Sequence, residues 1–291
     1  MKKIDWSKHL FRASSFGDLM AGAKELTDKQ KETLAAYQMK DELTAKQQET
    51  LDDLISKRDS IELSKGAKTV LRKMRREIKF NRRKQLKSKY LTKGIQLEEQ
   101  AIDFLSIYHD TVFENNKERR ENEWFSGESD IIEGIDAKCA WELDTLPDPE
   151  EPLPAIYEFQ DRIYMMLWDK DEWTTSSIVL NMMDSALNDA IYREGFNWED
   201  NIIPEWKKIE LIAFYIYDEE NFYRLCKLHD CVPNAESSEL AIDSFNGFVE
   251  IPDHERIVEK TVYRDKAIEK RMIEIAKLAR IYLQELDDLM E

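Results

Sequence analysis

Residues 127–141 read GESDIIEGIDAKCAW, and the placing of charge in this stretch decides how the rest of the chain is read. Ile131, Ile132, Ile135 and Ala137 belong in an interior. Asp130, Asp136 and Lys138 are costly to desolvate unless a metal or a phosphate compensates them. The pattern is that of a short, half-buried hairpin. Asp136 and Lys138, two apart on one strand, share a face. Asp130 lies on the preceding strand, across a turn near Glu133 and Gly134. A two-residue turn at 133–134 sets Ile131 opposite Asp136 and sends Asp130 to the other face. A three-residue turn, Ile132-Glu133-Gly134, sets Asp130 opposite Asp136, so that two carboxylates converge. Three-residue turns favour a left-handed residue at their last position, where Gly134 stands.

Two converging carboxylates with little to neutralise them suit a hard cation such as Mg²⁺ or Mn²⁺. A lysine on the same face can hold a phosphate, or position and deprotonate a water. Phosphodiester hydrolysis needs those parts. The plainer reading of Asp-x₅-Asp-x-Lys is a surface hairpin with ordinary charges on its wet face.

At 291 residues the chain can bury one large core or two small ones, and its 35% charged and 42% hydrophobic content suits a soluble globular protein. No apolar run reaches the roughly 18 residues of a membrane helix. The opening MKKIDWSKHLFRASSF lacks the apolar core of a signal peptide. Cys139, Cys226 and Cys231 are too sparse for a disulfide framework, so a reducing cytosol is the expected setting. Cys226, His229 and Cys231 carry zinc-binding atoms but lack a fourth ligand at finger spacing. There is no Walker-type glycine loop.

The net charge of −17 argues against a polyanionic partner until its distribution is read. Between Lys65 and Lys93 stand thirteen Lys or Arg and one acid, Glu77. This segment carries about +12 and the remainder about −29. It reads either as a solvated helix balancing acidic neighbours or as a phosphate-tracking surface inside an acidic protein.

Leu-Thr or Leu-Ser openings recur in LTDKQKETL from Leu26, LTAKQQETL from Leu43 and LSKGAKTVL from Leu63. Thr27 with Gln30 and Thr44 with Gln47 have capping-box spacing, so 26–62 reads as a helical hairpin and a third helix starts near Ser64. From Gly94, Leu97, Ala101, Phe104, Leu105 and Tyr108 recur at helical spacing. A Pro-rich loop (Pro147, Pro149, Pro152, Pro154) precedes a helix over AIYEFQDRIYMMLWD. SSIVLNMM (176–183) and KKIELIAFYIYD (207–218) are strand candidates, and a long helix with Ile268, Met272, Ile275, Leu278, Ala279 and Tyr282 on one stripe ends the chain. This order describes an α/β core with helical additions.

With QDRIY at 160–164, the opening stretch resembles the PD-(D/E)xK nuclease superfamily, in particular its RecB-like and phage-exonuclease branch of the YqaJ or lambda-exonuclease type. In that family an Asp follows Gly-x-x on one strand, here Gly127 and Asp130, and Asp-x-Lys follows on the next, here Asp136 and Lys138. A helical Gln-x-x-x-Tyr comes after, here Gln160 and Tyr164, and an upstream helix supplies a Glu, here Glu98 with Glu99 as a near alternative. FRASSFGDLM, SKYLTKG, KCAWELDTLP and the C-terminal VEIPDHERIVEKTVYRDKAIEKRMIEIAKLARIYL extend the resemblance over most of the chain outside 24–62. The chain departs at Ser129, where the family has Pro, and its six-residue aspartate spacing is short.

The resemblance implies an α/β (α+β) fold: a restriction-endonuclease-like core with a central mixed β-sheet flanked by helices. It implies one nuclease domain over 1–291, with a helical insertion at about 24–62 and a C-terminal helix at about 264–290. Asp130, Asp136 and the Ala137 carbonyl would hold Mg²⁺ or Mn²⁺, with Glu98 completing the set. Lys138 would orient the attacking water, and Gln160 and Tyr164 would support the centre. Arg12 with Ser14 or Ser15 would anchor a 5′-phosphate. Arg72, Arg75, Arg76, Arg82, Arg83, Lys89 and Lys93 would track the DNA backbone, on a helix pointing toward the acidic edge. The activity implied is 5′→3′ exonuclease action on double-stranded DNA ends in phage or prophage recombination, in the cytoplasm of a bacterial host. A single-strand annealing protein and a homo-oligomeric ring come with that resemblance, and no membrane. The alternatives are an endonuclease using the same site and a non-catalytic nuclease-fold scaffold that binds DNA or a partner protein.

Overall fold

The computed structural model describes residues 4–21, 28–40, 42–59, 61–82, 89–233 and 247–290, with backbone alone for 28, 31, 57–59 and 89–96. The chain opens with β1 (Phe11–Arg12) and α1 (Ala13–Met20), then α2 (Asp28–Gln38), α3 (Ala45–Asp59), α4 (Lys65–Phe80) and α5 (Lys89–Tyr108). Three strands follow, β2 (Arg120–Glu121), β3 (Phe125–Gly127) and β4 (Ile135–Ala140), then α6 (Ala155–Trp168) and β5 (Glu172–Val179). Helices α7 (Asp184–Gly195), α8 (Glu205–Tyr215) and α9 (Glu219–Leu228) precede β6 (Ile257–Tyr263) and α10 (Lys266–Asp288).

The architecture is mixed α/β, with a difference from the single central sheet expected. The described strands form two three-stranded mixed sheets, ordered β1-β3-β2 and β4-β5-β6. β1 runs parallel and β2 antiparallel to β3, while β4 runs parallel and β6 antiparallel to β5. The division falls after Gly127, where pairing shrinks to one antiparallel bridge between Ile131 and Ile135.

Strand β4 shows the period of two that its sequence carries. Ile135, Ala137 and Cys139 turn toward α5, packing against a core of Leu97, Ala101, Leu105, Ile131 and Ile178. Asp136 and Lys138 take the other face, toward α6. A second core joins α1, α4, α6 and α10 around Trp6, Phe11, Phe16, Phe125, Ile163 and Trp173. A third fills the space among α7, α8 and α9, and a small one (Leu34, Leu51, Leu54) joins α2 to α3.

Local signals map onto element starts. Thr44 and Gln47 exchange both capping-box bonds, at 3.1 and 3.3 Å, and Ser64 Oγ accepts from Ala67 N at 3.0 Å to cap α4. Thr27 lies outside the described residues. Two strand expectations need correction. Most of the 207–218 segment is helix α8, which starts after Pro204, ends at Tyr215 and buries Ile209 and Ile212; Ile216, also buried, follows it in extended backbone. A short apolar run cannot by periodicity alone be told from a strand. The strand expected at 176–183 is β5, which begins four residues earlier at Glu172 and ends at Val179. Nor is the basic segment one helix. α4 closes at Asn81, whose φ of 49° is left-handed, and residues 89–93 belong to α5.

Candidate active site

The hairpin takes the three-residue turn. Ile131 pairs with Ile135, leaving Ile132, Glu133 and Gly134 as the loop, and Gly134 has φ +105°, a conformation that a side chain would strain. This register brings Asp130 opposite Asp136. Ala137 N donates to Asp130 Oδ2 at 3.1 Å, and Asp130 N lies 3.5 Å from Asp136 Oδ1.

Asp136 is 1% exposed and ion-paired to Lys138. Its Oδ2 also accepts from Gln160 Nε2 at 2.9 Å. The same nitrogen donates to Tyr164 Oη at 2.9 Å, and that hydroxyl donates to the Glu128 carbonyl at 2.9 Å. A chain of bonds thus runs from the segment after β3, through α6, to β4. Gln160 and Tyr164 reach it together because they are four apart on one helix face. Gly127 makes room: a Cβ there would sit 2.9 Å from Tyr164 Cε1.

Charge is crowded in this site. Burial, reinforced by the charge of Asp136, pushes the Asp130 carboxyl up to about 8; Lys138 pulls it down and Glu98 adds to the rise. Burial works against the Lys138 ammonium, but Asp136 and Asp130 outweigh it and hold the lysine above its ordinary range. Glu98 faces the site side of α5, accepting from Asn115 Nδ2 at 3.1 Å, whereas Glu99 is exposed. Of the two, Glu98 is the one whose charge reaches Asp130. Among the described residues no three His, Cys, Asp or Glu side chains are drawn together as a finished metal-binding group. The donor set nevertheless fits a hard cation in kind: oxygen donors, two of them adjacent, with a carboxyl whose ionisation is suppressed by burial and by the charge of Asp136.

Asp161 is a feature that the motif reading passed over. It is 0% exposed, accepts from Thr175 Oγ1 at 2.8 Å, and has no partner at Oδ1. Burial and the charge of Asp136 push its carboxyl up to about 8. An acid between Gln160 and the buried run Ile163, Tyr164, Met165 was the available signal. Thr175 stands beside Asp136 in the β4–β5 register and shares its face, so Asp161 sits between α6 and the sheet on the same side as Asp136.

Arg12 is exposed and pairs in register with Ser126, next to Gly127, which sets it on the strand adjoining the hairpin. Ser15 Oγ donates to the Arg12 carbonyl at 3.3 Å, and Ser14 is exposed. Arg72, Arg76 and Arg82 lie on the surface, Arg72 over the Tyr282 ring at 5.9 Å. Arg75 does not lie there. It is buried and paired with Asp287, which also takes Lys79 at 3.0 Å and Trp6 Nε1 at 2.7 Å, so its charge serves the junction of α4 with α10. Arg83 lies outside the described residues, as do the side chains of Lys89 and Lys93.

No protein-family model matches the chain, and no curated protein does. Among solved structures it is similar to a phage-related exonuclease from Haemophilus somnus 129PT, at TM-score 0.57 and 21% identity over 98% of this chain and 97% of that one. LHK-Exo in complex with dAMP aligns at TM-score 0.44 and 11% identity, over 98% and 92% of the two chains. The fold of the described residues is similar to that of the phage-related exonuclease, a mixed α/β core consistent with the restriction-endonuclease-like kind.

Proposed function

We propose that the protein is a Mg²⁺- or Mn²⁺-dependent deoxyribonuclease acting 5′→3′ on double-stranded DNA ends. The observation that carries this reading is the meeting of Asp130, Asp136, Lys138 and Gln160 at one point. The fold shared with a phage-related exonuclease supports it. Asp130, Asp136, the Ala137 carbonyl and Glu98 are the groups to hold the metal, which would polarise the phosphoryl oxygen. Lys138 orients the attacking water and takes up charge developing on the phosphate. Gln160 and Tyr164 hold the Asp136 carboxylate in place. Arg12, with Ser14 or Ser15, meets the terminal phosphate, and Arg72, Arg76 and Arg82 attract the backbone, which makes binding steeply salt-dependent.

The same reading includes one nuclease domain over 1–291, work in the cytoplasm of a bacterial host during phage recombination, a single-strand annealing partner and a homo-oligomeric ring. No described helix is long and apolar enough to cross a membrane.

The test is release of acid-soluble nucleotides from end-labelled linear duplex, with Mg²⁺ and with chelator, beside closed-circular DNA. Metal-dependent loss of linear DNA alone, abolished in Lys138→Ala and Asp136→Ala, is the expected result. Cutting of circles would make it an endonuclease. Binding without cleavage under any divalent metal would make it a scaffold.

A further inference from the structure

The first turn of α6 carries an aromatic side chain that the hydrogen-bonded chain at Asp136 does not use. Tyr157 is 37% exposed, and the Lys138 ammonium stands 5.6 Å from its ring centroid. Tyr157 precedes Gln160 by three residues, so the two share a helix face one turn apart. Gln160 points down to the buried Asp136; Tyr157, a turn toward the helix start, stands where Lys138 emerges at 28% exposure. Beside it, Ile156 is also left partly in solvent.

The helix start that carries the ring is closely packed. Gly17 of α1 packs so closely on the start of α6 that a Cβ there would sit 2.6 Å from Ile156 Cα. This close packing sets where the Tyr157 backbone stands beside the lysine. The core does not need an exposed ring here: the buried face of α6 is supplied by Ile163, Tyr164, Met165 and Trp168. What remains is a flat, partly exposed π surface beside the Lys138 cation of an acidic site.

We propose that Tyr157 is a substrate-positioning residue whose ring stacks on the terminal nucleobase of the strand being cut, while its face aims the Lys138 ammonium at the adjoining phosphate. Every base offers a π face, so such a platform gives purchase on DNA without reading sequence. The cation–π contact adds to the ion pair with Asp136 in favouring a lysine position beside the ring. This inference rests on the nuclease reading and adds to it the part of the substrate that is gripped.

The experiment uses the full chain and a duplex carrying 2-aminopurine at one 5′ terminus, whose fluorescence falls on stacking. Binding is followed by anisotropy in chelator, so that nothing is cut, and cleavage is then measured with Mg²⁺. Tyr157→Ala is expected to abolish the fluorescence loss and to raise KM for DNA ends about tenfold. Tyr157→Leu, which keeps the bulk, is expected to behave as Tyr157→Ala, and Tyr157→Phe to recover quenching and KM. A merely structural role would lower Tm in Tyr157→Ala and leave KM and quenching alone. Unchanged quenching and KM in an active Tyr157→Ala enzyme overturns the platform and leaves the nuclease reading standing. Quenching that depends on Tyr157 in a protein that never cleaves keeps the platform and overturns the nuclease reading. Neither quenching nor cleavage by the wild type overturns both.

Discussion

Gln160 Nε2 stands 2.9 Å from Asp136 Oδ2, with both side chains buried, and this bond couples helix α6 to the acidic strand. The Gln160 amide serves Asp136 and Tyr164 at once, so its loss loosens both ends of the bonded chain.

Gln160→Ala is expected to lower kcat about 10- to 100-fold with KM for DNA little changed, as removal of a residue that orients a ligand does. Tyr164→Phe deletes only the hydroxyl that reaches the Glu128 carbonyl and should cost about 1 kcal/mol of stability, with a smaller fall in kcat. Steady-state kinetics and urea denaturation on the two variants separate these effects.

The Asp130 carboxyl, pushed up to about 8 by burial and by Asp136, holds a proton at neutral pH that a bound cation must displace. Rising pH therefore favours the cation. The Mg²⁺ concentration at half-maximal cleavage should fall about tenfold per pH unit between 6 and 8, then level off. A half-saturation point that stays fixed across this range would show that no cation displaces a proton from Asp130.

Asp161 predicts a stability change of definite sign. Its folded carboxyl titrates near 8 and its unfolded one near 3.8, so between those values the folded state holds one more proton, and stability falls as pH rises. Asp161→Asn removes that fall while leaving Thr175 an acceptor. The variant should melt higher than the wild type at pH 8.5, and the gap should narrow at pH 6.5. Below that, His9 acts in the opposite sense: burial and the nearby Arg280 hold it down to about 4, so the folded state resists its protonation. Thermal melts at the two pH values are the measurement.

Asp287 is the acceptor for Trp6, Arg75 and Lys79. Asp287→Ala leaves two cations buried without a counter-charge and should cost about 3–5 kcal/mol. Activity per folded molecule should be retained, because this cluster lies at the end of α10. A variant as stable as the wild type would show that Asp287 is not what holds the two cations at this junction.

Much of the candidate site was legible locally because backbone periodicity is local. Asp136 and Lys138 share a face by the period of a strand, and Gln160 and Tyr164 by the period of a helix. The Thr44–Gln47 cap needs only three residues of separation. The turn before Ile135 was not settled in this way. Two- and three-residue loops both fitted the letters, and the structure takes the longer turn, with Ile131 fully buried against α5.

The sequence by itself determined which groups stand on one strand or one helix turn, because those neighbours are set by covalent spacing and backbone geometry. Tertiary structure decided the fate of charges and of ambiguous runs. Arg75 reads as one cation among thirteen, yet it meets a carboxylate 212 residues away and is lost to the surface. Residues 207–218 read as a strand, yet Ile209 and Ile212 on α8, with Ile216 just after it, fill one core among helices. Asp161 looks like a wet helix position, and packing of α6 on β5 makes it a buried acid. In each case the deciding term is desolvation, which depends on what the rest of the chain brings alongside.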